Sequence, residues 1–214
     1  MEMTKADREG TWQATKSENT RKAIMDATIR CYVSYGFTET TVAKIAEAAG
    51  LSRGALMHHF ESRHDIIRAS VHHLVDQRMN EYEHLVSAAA TDGGTTVTRE
   101  NLRITMYALW EFFHLPSHTA YQELMLAARA NAELGGIMTR AQLELDQRIS
   151  DSIRSMFPAW ENRETIRQLV TDLTFFAFQG MAISSLTSPD DRRAKDLIDF
   201  LIAEILRTYR SSKR

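Results

Sequence analysis

Three prolines and nine glycines are all that punctuate the 214 residues of this chain. A sandwich or barrel needs turn residues at intervals of roughly 8–12 positions, so a chain this poor in breakers is confined to a few long elements. Between the breakers, apolar residues recur at helical spacing, which makes the expected class all-α, with about nine helices.

The first helix is marked by Ile24, Ala27, Cys31 and Tyr35 on one face, from Thr20 to Gly36, where a left-handed C-cap belongs. Residues 1–18 are polar and aperiodic around a lone Trp12 and are expected to form a mobile arm. Thr41 caps a short second helix lined by Val42, Ile45, Ala46 and Ala49 and ended by Gly50. Ser52 caps a third, carrying Leu56, His59 and Phe60. Ser62, with Asp65 three residues on, opens a long fourth helix through Ile67, Val71, Leu74, Tyr82 and Leu85. The cluster Thr91-Asp92-Gly93-Gly94 then breaks the pattern. Later helices are expected over Thr98–Leu115, Ser117–Ala130, Gly136–Phe157, Asn162–Leu186 and Pro189–Tyr209, with stops at Pro116, Gly135-Gly136, Pro158 and Ser188-Pro189.

Two short helices joined by the turn Ala49-Gly50-Leu51-Ser52 form a helix-turn-helix. A pair of that size buries too little apolar surface alone, so the first helix must pack over both. The expected organisation is an arm at 1–18, a three-helix head at 19–65 and a helical body at 66–214.

Net charge is −2, the wrong sign for a general nucleic-acid field. Residues 1–79 hold 11 Lys and Arg against 10 Asp and Glu, with five of the eight His, while the remainder holds 15 against 18. The asymmetry has the right direction but is weak, so any DNA argument must rest on local arrangement. Cys31 alone cannot form an intrachain disulfide, and no charged and apolar leader opens the chain, so a cytoplasmic location is expected. The longest uncharged stretch, 173–189, is interrupted by Gln179, Gly180, Ser184, Ser185 and Thr187 and falls short of a membrane span.

Residues 36–67, GFTETTVAKIAEAAGLSRGALMHHFESRHDII, resemble the DNA-binding signature of the tetracycline-repressor (TetR) family of bacterial regulators. The resemblance implies a helical homodimer whose heads read a double-stranded operator and whose bodies bind a small molecule that changes operator affinity. The helix-turn-helix geometry agrees: the second helix enters the major groove N-terminus first, and flanking caps touch phosphate. Here Arg53 and Ala55 project early from the third helix, suited to a guanine edge and a thymine methyl, and Gly54 between them permits close backbone approach. Thr40 and Thr41 at the second helix and Ser52 at the third offer hydroxyl and N–H groups to phosphates. Arg63 stands where the family usually has a phosphate-contacting Lys. Met57 departs from the usual Tyr and cannot donate a hydrogen bond. Either that contact is lost here, or His58 or His59 supplies it, in which case DNA affinity rises as pH falls through the imidazole range.

The last two helices are apolar over more than one stripe and must bury more than one face. Phe176, Ala177, Gly180 and Met181, with Leu201 and Ile205, are the expected two-fold seam, which is also where the resemblance implies dimerisation. Met106, Trp110, Phe113, Tyr121, Met125, Met138, Phe157 and Phe176 would suit an apolar effector, with His118, Gln122 and Arg129 to orient its polar end. Glu81/His84 and Glu111/His114 carry the Glu-x-x-His spacing of di-iron bundles. Glu111 lies opposite the apolar stripe of its helix, so no metal, cofactor or enzymatic activity is expected. The expected function is a ligand-responsive transcriptional repressor bound as a homodimer to a palindromic operator. The alternative is a helical small-molecule carrier with a vestigial head.

Overall fold

The computed structural model describes residues 5–87, 97–157, 163–185 and 190–211. These form α1 (Lys5–Glu39), α2 (Val42–Ala48), α3 (Arg53–His59), α4 (Arg63–Tyr82), α5 (Arg99–Phe112), α6 (Pro116–Ala128), α7 (Ala132–Met156), α8 (Glu164–Ser185) and α9 (Asp191–Ser211). A π turn, Glu83–Ser87, follows α4 directly. Among the described residues there is no strand, as the scarcity of breakers implies, and no helix is long and apolar enough to cross a membrane.

Side chains written in the sequence start most helices as expected. Thr41 Oγ1 accepts from Lys44 N at 3.3 Å, Ser52 Oγ from Ala55 N at 3.1 Å, and Thr98 Oγ1 from Asn101 N at 3.1 Å. Ser62 Oγ accepts from Asp65 N at 3.1 Å and donates to Asp65 Oδ2 at 2.7 Å, a box closed through the hydroxyl rather than the backbone.

Several boundaries differ. α1 begins at Lys5, well before Thr20, because the intervening Lys, Ala, Glu, Gln and Arg are good helix formers that need no apolar stripe. Lys16 there lies 5.1 Å from the centre of the Trp12 ring, one turn earlier. Gly36 has φ 70° but ψ 171°, a Gly-only conformation rather than a left-handed cap, and helical residues resume after it. A Cβ at Gly36 would lie 2.9 Å from Glu123 Oε2. The pair Gly135-Gly136 does not stop a helix: α7 runs through it and starts at Ala132, where Asn131 Oδ1 accepts from Leu134 N at 3.0 Å. Pro116 is the first residue of α6 rather than a terminator. At α9 the cap is Asp190, whose Oδ1 accepts from Arg193 N at 3.0 Å. The expected breakers Thr91-Asp92-Gly93-Gly94, Pro158 and Ser188-Pro189 lie outside the described residues.

Packing divides the chain into two units, residues 1–77 with 119–142, and residues 78–118 with 143–214. The first has a core of Ile24, Cys31, Ile45, Ala46, Leu56, Phe60 and Ile66, which sets α1 across α2 and α3. Its outer parts are tied by Tyr32 Oη and Ser70 Oγ at 3.3 Å, His73 Nε2 and Asp26 Oδ1 at 2.6 Å, and Tyr121 Oη donating to Gln142 at 2.6 Å. The second is built on Tyr82, Leu102, Met106, Leu109, Phe112, Phe178, Ile198, Ile202 and Ile205, all buried.

Candidate nucleic-acid interface and ligand cavity

The head presents the N-terminus of α3 to solvent. Ser52, Arg53, Gly54 and Ala55 are all exposed, because Leu56 and Phe60 turn the opposite face of α3 into the core. Neither Gly54 nor Gly50 has a neighbour within 4 Å of a hypothetical Cβ, so a DNA backbone could approach there unhindered. Thr41, also exposed, caps α2. Arg63 is held toward that end: its Nη2 donates to Thr40 O at 3.4 Å and its guanidinium stacks 5.2 Å from the Phe37 ring centre.

Two of the expected contacts are placed otherwise. Thr40 is buried and its hydroxyl donates to Gly36 O at 2.7 Å, so it braces the turn instead of facing phosphate. Met57 is half-buried, packed against the head core. His58 is exposed; His59 is half-buried, and its carbonyl accepts from Arg21. Sequence reasoning missed Lys44, one turn into α2. Its Nζ donates to Glu39 O at 2.8 Å and lies 4.4 Å from the Tyr35 ring centre, which places a third cation beside Thr41 and Arg63.

In the second unit, α5, α7, α8 and α9 enclose a cavity of about 80 Å³. α5 gives Leu102, Thr105, Met106 and Leu109; α8 gives Arg167, Val170, Thr171, Thr174 and Phe175; Ile205 comes from α9. Tyr82 and Val86, at the end of α4 and in the π turn, close one side, and Ile153, Met156 and Phe157 another. Of the expected pocket residues Met106 and Phe157 are in this lining. Trp110 stacks on His114 at 4.1 Å and Phe178 at 5.8 Å, and Phe113 is 5.6 Å from Phe175 behind the wall. Phe176 is 70% exposed. Tyr121, Gln122, Met125 and Arg129 belong to the other unit, with Met125 and Arg129 at its surface.

The seam residues are likewise redistributed. Leu201 and Ile205 are buried within the protomer, Ala177 and Met181 are half-buried, and Gly180 and Phe176 are exposed. Exposed with them on α8 are Leu169, Leu173 and Ile183, at alternating spacings of four and three, and on α9 Leu197 and Phe200. Of the di-iron pairs, Glu81 accepts from Ser117, whereas His84, Glu111 and His114 are exposed. Among the described residues no group of three or more His, Cys, Asp or Glu could hold a metal.

Residues 24–70, the head and the opening turns of α4, match the model of bacterial regulatory proteins of the tetR family. The head therefore carries a DNA-binding domain of the tetR type. That domain marks the chain as a DNA-binding transcriptional regulator. An uncharacterised HTH-type transcriptional regulator of Mycobacterium tuberculosis is 24% identical over 191 residues, 89% of this chain and 95% of that one. An HTH-type transcriptional repressor of the same species is 30% identical over 82 residues, 38% of this chain and 40% of that one. The crystal structure of a TetR-family regulator from Marinobacter aquaeolei shares the fold, with a TM-score of 0.65, 18% identity and coverage of 91% and 97%.

One buried titratable group gives the stability of the chain a pH signature. His118 is buried, packs edge-on against Phe113 at 4.7 Å, and is pushed down to about 3, first by desolvation and then by Arg78 and His114. The unfolded chain therefore binds a proton that the folded chain refuses, between its ordinary 6.5 and about 3. This contribution is fully present above pH 6.5 and is lost as pH falls through that window, with a slope of at most ~1.4 kcal/mol per pH unit. His118→Gln should flatten the acid limb of the urea midpoint plotted against pH; an unchanged limb contradicts the assignment.

Proposed function

We propose that this chain is a ligand-responsive repressor that binds a palindromic operator as a homodimer. The observation that carries this reading is the apolar seam on α8. One helix-turn-helix spans only one half-site, and a helix exposing Leu169, Leu173, Phe176 and Ile183 in a 3.5-residue repeat is suited to a symmetric partner. Gly180, exposed in the same row, allows close approach. A palindromic operator asks that two α3 helices stand about 34–36 Å apart, the span of successive major grooves. In this reading Arg53, Gly54, Ala55 and His58 face bases, while Thr41, Lys44, Ser52 and Arg63 face phosphate.

Ligand response is supported by the cavity. α4 carries Arg63 in its first turn and Tyr82, a lining residue, in its last. A ligand that fits one position of α4 better than another shifts operator occupancy by that difference in affinity and no more. Selection of bound duplexes from a random library, followed by band shifts across salt concentration, tests the reading. The expected winner is a palindrome bound with a steep salt dependence. Failure of any duplex to enrich at low salt, with and without cell extract, would leave a helical carrier in its place.

A further inference from the structure

We infer that the molecule accepted by this cavity is a compact apolar body bearing one carboxylate, which takes the guanidinium of Arg167 by displacing Glu164. The inference rests on the effector reading of the cavity. Among the described residues Arg167 is the one charged lining residue, and its side chain is only 3% exposed. One edge is fixed by Ser150, whose Oγ accepts at 3.3 Å from both Nη1 and Nη2 and whose carbonyl accepts from Nη1 at 3.4 Å. The other edge meets Glu164, with Nε donating to Oε2 at 3.3 Å and Nη2 to Oε1.

The two members of this pair are unequal. The cation is buried and cannot leave; the Glu164 side chain is 60% exposed and can rotate into water. A second cation waits for it: Arg154 Nη2 is already 3.6 Å from Glu164 Oε1, while Arg154 Nη1 donates to Asp151 at 3.0 Å. An incoming carboxylate can thus form the planar two-bond pair with Arg167 while Glu164 regains water and Arg154, leaving the charge count of the wall unchanged. A neutral ligand has no such exchange, and a cationic one would face the guanidinium.

Apart from the neutral Thr171, the other polar side chains of the wall are engaged. Thr105 and Thr174 donate their hydroxyl protons to Asn101 O at 2.9 Å and Val170 O at 2.7 Å, and Tyr82 bonds Ser152. The one charge in the wall that a polar end can pair with is therefore that of Arg167. Its apolar end must be small, because a cavity of about 80 Å³ holds a ring only if the unbranched Met106 and Met156 move aside.

The probes are benzoate and hexanoate, their neutral counterparts benzyl alcohol and 1-hexanol, and benzylamine, titrated calorimetrically into the full chain. The carboxylates should bind at least about tenfold more tightly than the alcohols, and benzylamine should not bind. Arg167→Met should erase the preference while leaving alcohol binding. Glu164→Gln, a conservative change at an exposed position, should strengthen carboxylate binding severalfold because a weaker competitor holds Arg167. Alcohols binding as tightly as carboxylates, no probe binding at millimolar concentration, or no gain in Glu164→Gln would each overturn the inference. Band shifts on the selected operator separate it from the effector reading. Carboxylates that bind without changing operator occupancy sink the effector reading alone, and alcohols that change it as well as carboxylates sink the anion alone.

Discussion

Arg53→Ala should lower affinity for the matched operator by about a hundredfold or more while changing affinity for scrambled duplex little. A bidentate arginine to a guanine edge is worth about 1–3 kcal/mol of discrimination, and a symmetric dimer carries two copies. The side chain is free to make that contact because it leaves the exposed first turn of α3, while Leu56 and Phe60 anchor the helix from the other side. Removing it disturbs no core contact, so the melting temperature should not move. Arg63→Ala is the natural comparison. Arg63 is bound to Thr40 O and stacked on Phe37 near the Thr41 cap, where the proposed reading gives it a phosphate. Its loss should weaken matched and scrambled duplex alike and reduce the salt slope by about one per subunit. Equal losses on matched and scrambled duplex for both variants would sink the division between base and backbone contacts.

The contrast between these two arginines and Arg167 shows what a sequence can and cannot disclose. Helix caps are local chemistry, so Thr41, Ser52, Ser62 and Thr98 are legible as starts without any tertiary knowledge, and with them the exposed end of α3. Asn131 is the same kind of signal, but the adjacent Gly135-Gly136 pair outweighs it on paper. Gly is tolerated inside a helix at a cost of about 1 kcal/mol, and α7 keeps both. The cavity is harder. Periodicity tells which side of a helix turns inward, not which neighbour it meets, so Trp110 and Phe113 read as lining when they pack behind it. A charged residue in the first turn of a helix reads as surface. That Arg167 is buried depends on Ser150, 17 positions earlier, which no local pattern announces. Tyr121, Gln122, Met125 and Arg129 fail as lining for the same reason: they fall in the unit that contains the head.

Phe176→Glu should convert the protein to a monomer at micromolar concentration and abolish operator binding. In the protomer Phe176 is 70% exposed, in one row with Leu169, Leu173, Gly180 and Ile183, the row the proposed dimer buries. Burying a Phe side chain contributes about 1.5–3 kcal/mol, and an isologous seam loses two of them in one substitution, before two carboxylates are forced toward the axis. A loss of roughly 3–6 kcal/mol weakens self-association by about two to four orders of magnitude. Operator affinity should fall with it, because a monomer engages only one half-site. Leu201 and Ile205 supply the control. Both are buried inside the protomer, so Ile205→Ala should lower the melting temperature at every concentration without shifting the monomer–dimer equilibrium. Sedimentation across a dilution series reads both effects. A Phe176→Glu protein that still sediments as a dimer would place the two-fold axis elsewhere, and an Ile205→Ala protein that dissociates on dilution would return the seam to the inner face of α9.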